Sequence, residues 1–136
     1  GLVDRWDAIY CKILFERDTS ISNLLRSKVR FEKGEKKKLI NEFGFGVSWS
    51  VQLAQVFEDR GDLRHAHLLL NNCLDNLIDY YFIINNQFVP YFKWKYYYFS
   101  RLKKPSKKIK DVVFDLFFIR NYSKEELHRR IKLIKE

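Results

Sequence analysis

The sequence of 136 residues contains no methionine and only two cysteines. Cys11 and Cys73 have neither the spacing of a disulfide framework nor that of metal ligands, so we expect reduced thiols that pack as small hydrophobic side chains. No apolar run reaches the roughly 18 to 20 residues of a membrane span, and no secretory signal pattern is recognisable. We therefore expect a cytoplasmic protein without membrane contact. The missing initiator and the leading Gly1 predict a processed, tagged or excised fragment rather than a complete gene product.

Acidic residues are also in the minority, with 17 Asp and Glu against 26 Lys and Arg, which gives a formal net charge of +9. Such a charge makes nucleic acid, nucleotide phosphates or an acidic protein plausible partners. Disorder is excluded by the 46% hydrophobic and 17% aromatic content, because so many large side chains can bury enough surface to fold. The length suits a single domain over residues 1–136.

No strand-like alternation of useful length occurs, and apolar residues recur with helical periodicity nearly throughout. The sequence therefore predicts an all-α bundle of about six helices. We expect helices over 2–17 and 21–31, followed by a basic turn at 33–38. A break is expected near Gly44 and Gly46, and then a helix from Ser48 to a C-terminal cap at Gly61. Nearer the C-terminus we expect a helix over 109–117 and a last helix whose capping box runs from Ser123 to Glu126.

A long helix over about 63–85, capped by Asp62, is the predicted centre of the bundle. One of its sides is apolar, and its last residues, YYFII at 80–84, are apolar all round, as expected for a helix surrounded by others. The opposite side carries the polar residues Arg64, His67, Asn71, Asp75 and Asp79. If Arg64, His67, Asn71 and Asp75 point between helices, they suit a phosphate or hydroxylated ligand, with Arg64 as donor and Asp75 as acceptor or base. The alternative is a solvated face.

Two further function classes remain open. Arg60 and His65 match the R-x4-H pattern of HEPN ribonucleases, which are helical bundles, and a homodimer would then be expected. Gly61, however, stands where that motif has a polar residue directly after the arginine. A basic nucleic-acid binding module is the other class, although we do not favour it. Its predicted phosphate contacts are Lys33, Lys36, Lys37, Lys38, Lys103, Lys104, Lys107 and Lys108.

Several catalytic motifs are missing from the chain. It has no Gly-Ser followed by Asp-x-Asp or Asp-x-Glu, which is the metal-binding pair of nucleotidyl transfer, and neither a P-loop nor a GxGxxG. We therefore expect no catalysis by this chain alone, and no cofactor or metal bound to it.

The segment RGDLRHAHLLLNNCLDNLIDYYFIINNQFVPYFKW resembles the C-terminal helical domain of uncharacterised two-domain nucleotidyltransferases related to aminoglycoside nucleotidyltransferases. The matching positions are Arg60, Gly61, Asp62, Asn85, Pro90, Tyr91, Lys93 and Trp94, within a resemblance over about 58–103. It implies that the chain is the C-terminal part of a longer protein, and that an N-terminal domain, in the same chain or a separate one, holds Mg²⁺ and a nucleoside triphosphate. The helical domain would close over that domain and shape the substrate pocket, and Asn85, Tyr91 and Lys93 join the candidate binding residues.

The corner NNQFVPYFKW, residues 85–94, is expected to join two helices rigidly. We expect Pro90 in the first turn of the second helix and Trp94 as a large buried aromatic. Lys93 has two interpretations: its ammonium pairs with a phosphate across the cleft, or it lies along Trp94 without function.

Overall fold

A computed structural model describes all 136 residues. The chain forms seven α-helices and no strand, which confirms the all-α prediction with one helix more than expected. The helices are α1 (Leu2–Ile9), α2 (Ser20–Lys28), α3 (Glu35–Asp59), α4 (Leu63–Ile84), α5 (Phe92–Phe99), α6 (Lys107–Phe117) and α7 (Lys124–Lys135). None of them combines the length and apolarity needed to cross a membrane.

The first helix is much shorter than predicted. It ends at Ile9, whereas the apolar spacing predicted a helix over 2–17. Beyond it, two of the large apolar side chains that should have lined the helix, Leu14 and Phe15, are largely exposed. Helices of this length depend on burial of their apolar face, so periodicity alone does not sustain the second half. Cys11 is exposed as well, and only Cys73 has the predicted core position.

The predicted break at Gly44 and Gly46 is wrong, because α3 continues through both glycines. This helix packs along the length of α4. A Cβ added at Gly46 would lie 3.1 Å from the Asn76 side-chain nitrogen on α4, so the missing side chain permits close approach. Packing against α4 thus offsets the low helix propensity of the two glycines.

The junction between α3 and α4 has the predicted caps. Gly61 adopts a left-handed conformation with φ +78°, and the Asp62 amide donates to the Phe57 carbonyl at 2.9 Å, as in a Schellman motif. The Asp62 carboxylate then accepts from the His65 amide at 3.0 Å and caps α4. One glycine and one aspartate therefore end the longest helix and begin the central one.

Helix α4 is central, as predicted, since it packs against α3, α5, α6 and α7. It contributes to both hydrophobic clusters of the core. The first cluster, between α3, α4 and α7, consists of Val51, Ala54, Ala66, Leu70, Cys73, Leu127 and Ile131. The second, toward the end of α4, consists of Ile78, Phe82, Ile83, Val89, Phe99, Leu102 and Val113.

The last helix is held by half of the predicted capping box. The Ser123 hydroxyl accepts from the Glu126 amide at 3.1 Å. The reciprocal bond is replaced, because the Ser123 amide donates to Asn121 and the Glu126 carboxylate pairs with Arg129 at 2.8 Å. Arginine competes successfully for this carboxylate since the charged pair makes two parallel hydrogen bonds.

Candidate functional site

The polar side of α4 points into the bundle, where α5, α6 and α7 cover much of it. His67 is completely buried, and Asn71 is half-buried. Both contact the guanidinium of Arg130 on α7, which is itself fully buried. Arg130 also donates to the backbone oxygens of His67 and Leu116, each at 3.0 Å. The chain's own arginine therefore occupies the place in which a ligand was predicted beside His67 and Asn71.

The contacts of His67 are consistent with one neutral tautomer. Its Nε2 lies 3.0 Å from the Ser123 carbonyl oxygen, which only accepts, and its Nδ1 lies 3.2 Å from Nη1 of Arg130, which only donates. Burial lowers the pKa of His67, and the Arg130 charge acts in the same direction. Burial also lowers the pKa of Arg130 to about 10, so the guanidinium remains charged at neutral pH. The group is a satisfied structural network rather than an open acid–base site.

A second, partly buried ion-pair group joins α4 to α5. Lys95 is 8% exposed, and its Nζ lies 3.1 Å from an Asp75 oxygen and 2.7 Å from an Asp79 oxygen. The Tyr96 hydroxyl approaches the other Asp75 oxygen at 3.4 Å. Asp75, predicted as an acceptor or base for a ligand, thus serves Lys95 of the same chain.

One lysine faces two carboxylates here, and the pKa of the more buried carboxylate, Asp79, is raised. Burial raises the pKa of Asp79 to about 6, even though the Lys95 ammonium acts in the opposite direction. Burial favours the neutral amine of Lys95, but Asp79 and Asp75 outweigh it and hold the lysine pKa above its ordinary value. The ammonium therefore stays charged, and Asp79 is the member of the group that changes charge in the mildly acidic range.

Sequence reasoning missed Arg130 and Lys95, although a signal for the lysine exists. Lys95 lies one turn before Phe99, which is fully buried, so both side chains belong to the inner side of α5. A cation on that side faces the acidic stripe of α4 once the two helices pack. Arg130 has a weaker signal, since its position between the buried Leu127 and Ile131 marks only the inner side of α7.

Two other predicted binding residues have different surroundings. Arg64 is exposed, with its guanidinium carbon 5.4 Å from the centre of the Tyr122 ring. Asn85 joins the end of α4 to the segment before α6: its amide nitrogen donates to the carbonyls of Tyr81 (2.7 Å) and Lys104 (2.8 Å), and its oxygen accepts from the Lys104 amide (3.0 Å). Asn85 therefore has a structural role, with its side-chain donors and acceptor already engaged.

Asn86 explains why two asparagines end this helix. It takes the left-handed conformation with φ +59°, which asparagine tolerates better than most residues. The amide of Asn86 then donates to Ile83 and the amide of Gln87 donates to Phe82, both at 3.0 Å, completing a Schellman motif. The two asparagines thus close α4 and turn the chain toward the corner.

The corner is anchored by its first half. Phe88, Val89 and Pro90 are buried, and the Phe88 ring lies 4.4 Å from that of Phe31, with the Arg5 guanidinium 4.3 Å from its centre. A helix-to-helix corner is therefore present as expected, but its buried residues come earlier than predicted.

The second half of the corner is turned outward. Trp94 is 44% exposed, so its predicted burial is wrong. Pro90 is not in the first turn of α5 either, because Tyr91 is the N-cap and the helix begins at Phe92. Burial of Lys95 and Phe99 decides this orientation, since it fixes the opposite side of the short helix toward solvent.

The exposed side of α5 forms a continuous aromatic–basic strip, which we define as Tyr91, Phe92, Lys93, Trp94, Tyr97 and Arg101. Neighbouring members contact one another. The Lys93 ammonium lies 5.9 Å from the Tyr91 ring centre and 5.8 Å from that of Trp94. The rings of Trp94 and Tyr97 are 6.1 Å apart, and the Arg101 guanidinium covers Tyr97 at 3.5 Å. Of the predicted binding residues, Tyr91 and Lys93 come together here.

Two basic segments that are distant in sequence both contact the asparagines that end α4. Lys36 donates to the Asn86 side chain at 2.6 Å, and Asn85 binds Lys104 as described above. The segments 33–38 and 101–108 therefore approach the same end of α4. Buried Lys110 fixes the second segment by donating to the carbonyls of Ser100 and Leu102.

The R-x4-H pair lies at the exposed α3–α4 junction. Arg60 and His65 both contact the Phe57 ring, at 5.5 Å and 4.1 Å from its centre. The His65 Nδ1 is 3.7 Å from the Asp62 carboxylate. These contacts describe a packed helix junction, in which the Asp62 carboxylate beside His65 also caps α4.

No three His, Cys, Asp or Glu side chains lie close enough together to hold a metal ion. No protein-family model, curated protein or solved structure matches the chain. The aromatic–basic strip, an exposed group of adjoining rings and cations, is the candidate site.

Proposed function

We propose that this chain is the helical accessory domain of a nucleotidyltransferase and closes over a catalytic domain that carries Mg²⁺ and a nucleoside triphosphate. The support comes from the resemblance of residues 58–103 together with the arrangement of the corner. In this segment, the second half of the corner is exposed, and the residues just before it, Phe88, Val89 and Pro90, are buried in the fold.

The observation that carries the proposal is the environment of Lys93. The side chain is exposed, forms no ion pair, and lies between the rings of Tyr91 and Trp94. A lysine in this position supplies a point charge for phosphate, and the two rings supply flat apolar surface for a base or sugar. The buried corner residues hold these groups in place before a ligand arrives, which reduces the ordering cost of binding.

The structure also changes the division of roles among the predicted site residues. His67, Asn71, Asp75 and Asn85 are engaged by the chain itself and would position helices rather than bind substrate. Under this proposal, contact with the nucleotide belongs to Lys93 and the adjoining rings of the aromatic–basic strip.

The test uses the complete protein encoded by the gene. We expect its upstream part to contain Gly-Ser followed by Asp-x-Asp or Asp-x-Glu, and the complete protein to transfer a labelled nucleotide with Mg²⁺. Lys93→Ala should lower kcat/KM about tenfold or more, the effect of losing a hydrogen bond to a charged group, without changing the melting temperature. Lys132→Ala, on the exposed side of α7, is the matched control.

Three results would contradict the proposal. The first is an upstream sequence without the carboxylate pair, and the second is steady nucleotide transfer by this chain alone. The third is an active complete protein in which Lys93→Ala and Lys132→Ala have equal kinetics.

A further inference from the structure

We propose that the aromatic–basic strip and the lysines that follow it bind single-stranded nucleic acid. This inference does not depend on the nucleotidyltransferase proposal, because it concerns binding by the isolated chain. It rests on three observations: the charge of this part of the chain, the exposure of neighbouring aromatic rings, and the meeting of two basic segments.

The charge is strongly one-sided. Residues 80–110 contain no Asp or Glu and eight Lys or Arg. Two of these, Lys95 and Lys110, are buried within the fold. The other six are exposed: Lys93, Arg101, Lys103, Lys104, Lys107 and Lys108. Such a band attracts the phosphate backbone and has no nearby carboxylate within the segment to repel it.

The aromatic rings provide flat surfaces on which bases can stack, which charge alone does not supply. Trp94 and Tyr97 are 44% and 49% exposed and adjoin each other, and Arg101 stacks on Tyr97. Bases stack on exposed aromatic rings and on guanidinium groups with little regard to sequence. Only unpaired bases can do so freely, because those of a duplex are already stacked on one another. The strip therefore favours single strands over duplexes.

The tertiary structure extends the band beyond α5. The Lys36 contact with Asn86 places the 33–38 segment next to the corner, and the Asn85 contact with Lys104 places the second basic segment there too. A strand stacked on Trp94 and Tyr97 could continue past Arg101 toward these lysines. The nucleic-acid strand would then make stacking contacts with Trp94 and Tyr97 first and phosphate contacts with the lysines further along.

A protein partner fits the same surface less well. Tyr, Trp and Arg are common at the centres of protein interfaces, but lysine is depleted there. Five of the six exposed cations of this band are lysines. A lysine-rich surface beside exposed rings is typical of proteins that bind single strands through the phosphate backbone and the bases.

The experiment measures binding of the isolated chain to fluorescein-labelled dT12 and U12, with a DNA hairpin duplex and heparin as comparison ligands. We expect both single strands to bind more tightly than the duplex. If about four phosphates are neutralised, affinity should fall roughly 50-fold between 50 and 200 mM salt, given about 0.7 counterions released per contact. Trp94→Ala should weaken single-strand binding roughly 5- to 150-fold, the range that alanine substitution gives for one stacked base.

Trp49→Ala is the matched control, since Trp49 on α3 is 49% exposed and lies outside the strip. It should leave affinity within about twofold, and circular dichroism checks that both variants fold. Absence of binding at 20 mM salt overturns the proposal. It is equally overturned if Trp94→Ala and Trp49→Ala behave alike, or if heparin and duplex bind as tightly as single strands, because either result means attraction by charge alone. Binding only to a separate protein domain would assign the strip to a protein interface instead.

Discussion

Lys93 and Lys95 are two residues apart on the same short helix and have opposite environments. Lys95 lies inside the bundle between Asp75 and Asp79, whereas Lys93 lies in solvent beside Trp94. Two residues of helix correspond to about 200° of rotation, so one lysine must face away from the side that the other faces. Of the two, Lys95 joins α5 to α4, and Lys93 is exposed and forms no ion pair within the chain.

The two aromatic residues that frame the corner should differ sharply in their contribution to stability. Phe88 is 2% exposed and packs on Phe31, so Phe88→Ala should lower the free energy of unfolding by about 3 to 5 kcal/mol. Trp94 is half exposed, and Trp94→Ala should cost about 1 kcal/mol. Urea unfolding followed by circular dichroism measures both. Equal losses would contradict the assignment of Phe88 as the anchor and Trp94 as surface.

At the scale of the helices, α3 shows how contact with a neighbour overrides local signals. Its two glycines predict a break, yet the helix is uninterrupted where it lies against α4. At α1 the effect is reversed: the helical periodicity continues beyond Ile9, but Leu14 and Phe15 stay exposed and the helix ends. Helix length in this chain therefore follows the available partner surface, as expected when packing supplies most helical stability.

The two glycines of α3 should respond differently to the same substitution. A Cβ at Gly44 would meet nothing within 4 Å, so Gly44→Ala should stabilise the protein by about 0.5 to 1 kcal/mol through better helix propensity. At Gly46 the added carbon would press on Asn76, so the gain should be smaller or become a loss. Thermal and urea unfolding of the two variants make the comparison. Equal stabilisation would show that α3 and α4 are not in close contact at Gly46.

At the scale of the whole molecule, both hydrophobic clusters include residues of α4. A disturbance at one end of this helix should therefore destabilise the complete domain. The Arg130 network joins α6 and α7 to this helix, and the Lys95 group joins α5 to it. We infer that the chain unfolds as one unit.

Substitutions in the two clusters test that inference. Leu70→Ala in the first cluster should cost about 2 to 5 kcal/mol, and Phe82→Ala in the second about 3 to 5 kcal/mol, because both side chains are fully buried. Each variant should show one transition, with coincident curves from circular dichroism and tryptophan fluorescence. Two separate transitions in either variant would mean that the clusters fold independently.

The sequence by itself determined the helical class, the position of α4, and the caps at Gly61, Asp62 and Ser123. Helical periodicity and helix caps depend on residues close together in the chain. These features can therefore be predicted without knowing the fold, as at Gly61, Asp62 and Ser123. Only the tertiary structure decided which polar residues are buried and which aromatic residues are exposed. His67 meets Arg130 across 63 residues, and Asp75 meets Lys95 across 20. Periodicity along one helix cannot identify a cation that arrives from another. For the same reason, the strip on α5 became recognisable only once burial of Lys95 and Phe99 had fixed which side of that helix faces water.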